Sequence, residues 1–311
     1  MPPIPKLSAA PRPEDTMEPI SARYKDTILR MMAHAADTGS VTVDKVYQEG
    51  NKRILPFIDA MIAENLEPGS GIRSFANLER LASLSRDGAK CLLLVEHYSN
   101  FDLPAFSFLL RKAGPEGERI AESIVAIAGI KLSETNPVVT AFTGAYSRLV
   151  IYPSRSIDEL ATKIVDPARR AAETAKANAI NLASMKELAR LRTEGRLVLV
   201  FPAGTRFRPW DPASKRGVRE IDSYIRSFDY MSLVTINGNI LRINPDGEML
   251  EDLICKDRVV IDVSDPKPCS AFREAIKAST PPDADKKQAV VDAVMAELDA
   301  MHEGVERTLK A

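Results

Sequence analysis

Histidine is the scarcest of the reactive side chains: the 311 residues contain three, His34, His97 and His302. Cysteine is equally rare. Cys91, Cys255 and Cys269 are odd in number and lack a CxxC spacing, which excludes a disulfide framework or a four-cysteine zinc site and suits free thiols in a reducing compartment. There is no HExxH and no Cys/His cluster, so no metal site is expected. A GxSxG elbow is also missing, so the chain shows no serine nucleophile of the α/β-hydrolase kind. No run approaches eighteen apolar residues, and no membrane-spanning helix is expected. Basic excess is absent too: 42 Lys and Arg stand against 43 Asp and Glu, giving a net charge of −1. That argues against a nucleic-acid footprint, and it requires any anionic ligand to be met by a local cluster of cations. Residues 1–15 are proline-rich without a continuous apolar core and are expected to be a flexible tail. The expectation is a cytoplasmic protein, with peripheral contact at the inner membrane face left open.

What is present is ordinary globular composition, 45% hydrophobic and 27% charged. Residues 16–37 carry Ile20, Tyr24, Ile28, Met31 and Met32 at helical spacing. A second helical pattern covers 42–65, with Pro56 able to kink it, and a third covers 72–86 and closes near Gly88. Residues 16–88 are therefore expected to form a small N-terminal helical subdomain. From residue 89 to 311 the pattern alternates between strand and helix. Strands are expected over 91–95, 123–130, 149–152, 196–201, 231–236 and 259–263. Helices are expected over 103–112, near 136–142, over 166–194 and over 286–309. The fold class is α/β, a mostly parallel sheet flanked by helices and preceded by the N-terminal helical subdomain.

The chemistry gathers where strands stop. The apolar run from Cys91 ends in Glu96-His97-Tyr98-Ser99-Asn100-Phe101-Asp102. On one continuous helix, His97 and Asp102 would point about 140° apart, so they converge only if the chain turns between them. A turn from a buried strand into a helix supplies that, and α/β folds place their ligands at such strand ends. The alternative is a capping box, in which Asp102 merely satisfies helix N–H groups. A second buried run ends in Phe201-Pro202-Ala203-Gly204-Thr205-Arg206-Phe207-Arg208-Pro209. If that segment is extended, Arg206 and Arg208 leave it on one side as two charged forks suited to a phosphate. Gly204 allows close backbone approach. The bland reading makes both arginines surface residues with acidic neighbours such as Asp211 and Glu220. Lys131 and Arg155 follow two further strands in the same manner. In a parallel sheet all these residues fall along one edge.

The block from Glu96 to Asp102 resembles the His-x4-Asp block of the glycerolipid acyltransferases. Phe201-Pro202-Ala203-Gly204-Thr205-Arg206 resembles their Phe-Pro-Glu-Gly-Thr-Arg block, in the same order and about a hundred residues later. Arg206-Phe207-Arg208-Pro209 is most similar to the phosphate block of the soluble plastid-type glycerol-3-phosphate acyltransferases. Ala128-Gly129-Ile130-Lys131 and Tyr152-Pro153-Ser154-Arg155-Ser156 resemble two further stretches of that type. Departures are Ala203 for glutamate, Glu96 for the asparagine before the histidine, and Ser156 for a histidine.

The resemblance implies transfer of an acyl group from acyl-CoA or an acyl-carrier protein to the hydroxyl of glycerol-3-phosphate, in phospholipid biosynthesis. His97 is then the base and Asp102 its partner, with the substrate hydroxyl standing where a triad has its serine. Arg206, Arg208, Arg155 and Lys131 are the expected phosphate ligands, with the Gly204 and Thr205 backbone near the substrate. No cofactor is expected beyond the acyl donor. Alternatives are acylation of lysophosphatidate and a catalytically silent phospholipid-binding protein of the same fold. A phosphate-ester hydrolase is the weakest of them.

Overall fold

The computed structural model describes residues 17–35, 41–134 and 136–310; the expected tail lies outside them. The front of the chain supplies β1 (Glu18–Pro19), α1 (Ile20–Arg23), α2 (Lys25–Met32), β2 (Tyr47–Gln48), α3 (Leu55–Asn65), β3 (Gly71–Arg73) and α4 (Phe75–Arg86). Two expectations need correction here. The helix expected over 42–65 starts only at Leu55, where Pro56 sits in the first turn without needing its missing N–H. Val46 and Ile54 are buried as anticipated, but from turns and beside a strand. The helix expected from residue 72 is broken at Ser74, whose φ of 53° is left-handed; Ile72 belongs to a strand instead.

The middle of the chain gives β4 (Cys91–Val95), α5 (Asp102–Lys112), α6 (Pro115–Ser123), β5 (Ile124–Gly129), α7 (Lys131–Glu134), α8 (Pro137–Gly144), β6 (Arg148–Ile151), α9 (Ser154–Lys163), α10 (Pro167–Thr193) and β7 (Leu197–Val200). The remainder is α11 (Ile221–Ser227), β8 (Tyr230–Asn237), β9 (Leu241–Arg242), β10 (Leu253–Ile254), β11 (Val260–Val263), β12 (Lys267–Pro268), α12 (Cys269–Ser279) and α13 (Lys286–Lys310). The main sheet has nine strands in the order β2-β6-β5-β7-β4-β8-β11-β3, with β12 paired to β8. Its centre, β6-β5-β7-β4-β8, is parallel throughout. Strands β2, β11 and β12 add antiparallel pairs, and β1-β10-β9 form a small antiparallel sheet. The class is α/β with a mostly parallel sheet flanked by helices, and the front section is largely helical while lending β2 and β3 to that sheet.

The burial pattern explains the uninterrupted apolar runs. Along β4, Cys91, Leu93 and Val95 pack on one face with α3 and α4 residues such as Ile62 and Leu81. Leu92 and Leu94 face the other side, against Ile225 of α11 and Val290, Val294 and Leu298 of α13. A strand covered on both faces has no solvent side, so the period of two vanishes from its sequence. Burial also pushes the thiols of Cys91 and Cys269 up to about 12, which makes them inert core groups.

Topology positions the site. From β4 the chain crosses to β5, beyond β7; from β7 it crosses to β8, beyond β4. The loops leaving the adjacent C-terminal ends of β4 and β7 therefore run in opposite directions, the switch point at which open α/β sheets place their ligands. Leu94 pairs with Val200, so the residues just after each strand come level. Among the described residues, no helix is long and apolar enough to cross a membrane.

Candidate active site

His97 lies two residues past the end of β4, and Asp102 is the first residue of α5. The turn between them brings His97 Nδ1 within 2.8 Å of Asp102 Oδ2. The same oxygen accepts the backbone N–H groups of Tyr98 at 2.6 Å and Ser99 at 2.8 Å. Asp102 is buried, 3% exposed, and its Oδ2 is the acceptor for both of these N–H donors. Nδ1 of His97 therefore carries the proton, and Nε2 presents its lone pair. The capping alternative is met but does not exhaust the role of Asp102: the Ser99 N–H bond is the return bond of a capping box, and the same oxygen also takes His97 Nδ1. Ser99 also secures the turn: its hydroxyl accepts from Phe101 N at 2.9 Å and donates to Leu241 O at 2.8 Å.

Phe201, the residue after β7, stacks on the imidazole with ring centroids 3.9 Å apart and planes 15° apart. Such a pair contributes about 0.5–1.5 kcal/mol and restricts rotation of the ring. Gly204 follows at φ +65°, a left-handed turn that a side chain resists; its N–H donates to Phe201 O at 2.9 Å. The loop then crosses back under the first turn, where Phe207 N–H donates to the carbonyl of His97 at 2.8 Å. The Phe207 ring is buried edge-on to Tyr98, centroids 6.0 Å apart, with Arg206 and Arg208 on either side of it in sequence. The base and the doubled arginine are thus joined through main chain.

Arg206 and Arg208 are both half-buried, with different partners. Arg206 donates to Asp252, a carboxylate 1% exposed that also accepts from Asn100 Nδ2 at 3.2 Å. Burial pushes the Asp252 carboxyl above its ordinary range, and the Arg206 charge and hydrogen bond pull it back only in part. Arg208 donates from Nη1 to Thr205 Oγ1 at 3.2 Å, and its backbone N–H donates to Ser214 Oγ at 2.7 Å. Neither Asp211 nor Glu220, the acidic neighbours of the bland reading, takes either guanidinium.

Lys131 and Arg155 form a group of their own. Lys131 Nζ lies 2.7 Å from Glu159 Oε2 on α9, and Arg155 Nε lies 3.7 Å from Oε1 of the same carboxylate. Hydrogen bonds from Lys131 and then Lys163 hold the Glu159 carboxyl down at about 2. Arg155 is 82% exposed. At the start of α9, Ser154 donates to Glu220 Oε1 at 2.5 Å, next to α11.

Sequence reasoning missed three participants. Phe201 was in view as part of its block, and its place directly after a strand adjacent to β4 was the usable signal. Asp252 lies 46 residues from its arginine in a segment without regular pattern, and no local cue marks it. His302 lies 206 residues from Glu96, whose Oε2 it contacts through Nδ1 at 2.8 Å.

Residues 73–230, just over half of the 311-residue chain, match the family described as Acyltransferase. No curated protein matches the chain.

Proposed function

Since the chain belongs to the Acyltransferase family, we propose that it moves an acyl group from a thioester, acyl-CoA or an acyl-carrier protein, onto the 1-hydroxyl of glycerol-3-phosphate. The observation that carries this reading is the His97–Asp102 pair, tied by the Phe207-to-His97 backbone bond to a loop bearing Arg206 and Arg208. One group accepts a proton and two others suit a phosphate, the two functions that a three-carbon phosphoester acceptor calls for.

In this mechanism the acceptor hydroxyl donates to His97 Nε2. As the oxygen attacks the thioester carbonyl, its proton passes to Nε2 and the imidazolium forms against Asp102. When the tetrahedral intermediate collapses, the C–S bond breaks and the departing thiolate takes that proton. The ring returns to its starting tautomer, and no covalent enzyme intermediate is required. The stacked Phe201 ring and the buried Asp102 keep the imidazole oriented through both transfers. Arg206 and Arg208 hold the phosphate, with Arg155 and Lys131 adding positive potential at the rim. Asp252 restrains Arg206 at one end of its fork, so the guanidinium is aimed before the substrate arrives.

The test is an acceptor-by-donor matrix with His97→Ala as control. Glycerol-3-phosphate and lysophosphatidate are each offered with acyl-CoA and acyl-carrier protein, and thiol release and product are measured. Glycerol-3-phosphate is expected to be the better acceptor, and His97→Ala to lose about 10²–10⁴-fold in kcat. Failure to acylate glycerol-3-phosphate with either donor overturns the reading, as does full activity in His97→Ala.

A further inference from the structure

Glu96 precedes the base and is 4% exposed, an unusual place for a carboxylate. Three donors satisfy it. Oε2 accepts the backbone N–H of Ile236 on β8 at 2.9 Å and lies 2.8 Å from Nδ1 of His302; Oε1 accepts the hydroxyl of Tyr98 at 3.0 Å. His302 belongs to α13, the last helix, and its own carbonyl accepts from Asn237 Nδ2 at 3.0 Å. One carboxylate thus ties together the central sheet, the closing helix and the turn that carries His97.

We propose that Glu96 and His302 are positioning residues: a second acid–imidazole pair that fastens the Tyr98 side chain to α13 and so holds the Asp102-binding turn still. This rests on the acyl-transfer reading for its effect on rate, and on geometry alone for its effect on the turn. The link runs through Tyr98. Its hydroxyl is held by Glu96, its ring meets Phe207 edge-on and His302 at 5.4 Å, and its backbone N–H is one of the two donors to Asp102. Freeing the side chain loosens that N–H, and with it the carboxylate that orients the base.

The electrostatics agree with the geometry. Burial alone lowers the His302 imidazolium, but the hydrogen bond and charge of Glu96, helped by Glu306, outweigh it and hold the group above its ordinary value; Lys215 opposes them. Burial and then the Glu96 charge drive the Tyr98 hydroxyl well above its usual range, so it stays a donor. The bonds at Glu96 use both of its oxygens as acceptors, which a carboxylate allows and an amide, with one oxygen and one N–H₂, does not.

The experiment compares Glu96→Gln, His302→Ala and His302→Asn with the unaltered protein. Glu96→Gln sets an amide N–H₂ against at least one of the three donors. His302→Asn brings an amide N–H₂ close to the position of Nδ1, whereas His302→Ala removes the donor. Expected for Glu96→Gln and His302→Ala are amide exchange at Tyr98 and Ser99 about tenfold faster or more, kcat about tenfold lower, and KM within about twofold. His302→Asn should recover most of both losses. Unchanged exchange at Tyr98 and Ser99 in folded Glu96→Gln overturns the proposal, as does His302→Asn behaving like His302→Ala. A chain inactive on every acceptor defeats the acyl-transfer reading instead, and the exchange data still decide this one. If the variants do not fold, the unaltered protein suffices, because only three histidines contribute ring signals. A far-downfield Nδ1 proton on His302 supports the pair, and its absence overturns it.

Discussion

Replacing Asp102 by asparagine separates charge from shape at the site. The amide oxygen can occupy the place of Oδ2 and accept from Tyr98 N, Ser99 N and His97 Nδ1, which now lie at 2.6, 2.8 and 2.8 Å. The fold should therefore survive, with stability changed by no more than about 1 kcal/mol, since each bond persists in neutral form. What disappears is the anion facing the imidazolium as the substrate proton arrives. At 2.8 Å and an effective dielectric of about 20, that pair interacts by about 6 kcal/mol, an upper bound for a site still 17% exposed at His97. The neutral hydrogen bond that remains retains about 1 kcal/mol. A loss of about 3–5 kcal/mol in transition-state stabilisation follows, or about 10²–10⁴-fold in kcat, with KM for both substrates nearly unchanged. Thiol release at saturating substrate gives kcat, and thermal unfolding by circular dichroism checks the fold. A folded Asp102→Asn protein retaining kcat within about fivefold of the parent would refute the assignment of Asp102 as the charged partner of the base.

Arg206→Ala should raise the acceptor KM about 10- to 100-fold, the worth of a charge-assisted bond to phosphate, and should also lower stability by about 2–3 kcal/mol because Asp252 loses its guanidinium. Initial rates and denaturant titration measure the two effects; an unchanged KM removes Arg206 from the phosphate site. Because the His302 group sits above its ordinary value, facing Glu96, Glu306, Lys215 and the Tyr98 ring, its charged form stabilises the fold fully below about pH 6.5, and that contribution is lost as pH rises through the elevated value. The Tm difference between the parent and His302→Asn should accordingly shrink from pH 6 to pH 9; a constant or widening difference contradicts it. Gly204→Ala should cost about 1 kcal/mol from the left-handed φ of +65° alone, since the added methyl group meets Val218 at ordinary contact distance, Cγ1 at 3.6 Å and Cγ2 at 3.9 Å. A neutral or stabilising Gly204→Ala would show that the loop relaxes to another conformation.

Much of the scaffold was legible because its strands are buried on both faces. An apolar run such as Leu197–Val200 admits few alternatives once it is bounded by Gly195 and Pro202. The turn after Val95 could be anticipated for the same reason, and with it the meeting of His97 and Asp102. What escaped falls into two kinds. Tyr47–Gln48 and Gly71–Arg73 are too short to show a period, and they became strands only because β6 and β11 offered edges to pair with. Helix α9 was not among the expected elements, although Ile157, Leu160, Ala161 and Ile164 recur at helical spacing. At the site, partners close in sequence were visible and those brought together only by the folded chain were not. Arg155 and Lys131 illustrate the limit: strand ends suggested a shared edge, but nothing in the sequence marked Glu159 as their common partner.

The hydrogen bond from Phe207 to the carbonyl of His97 belongs to the peptide backbone and owes nothing to either residue's side chain. Replacing an imidazole or a guanidinium therefore leaves the span between proton acceptor and anion cradle unaltered, whereas adding or deleting a single residue between Phe201 and Phe207 would change it. Substitution can thus change the groups that read the acceptor without touching the six-residue stride from Phe201 to Phe207 that spaces them from the base.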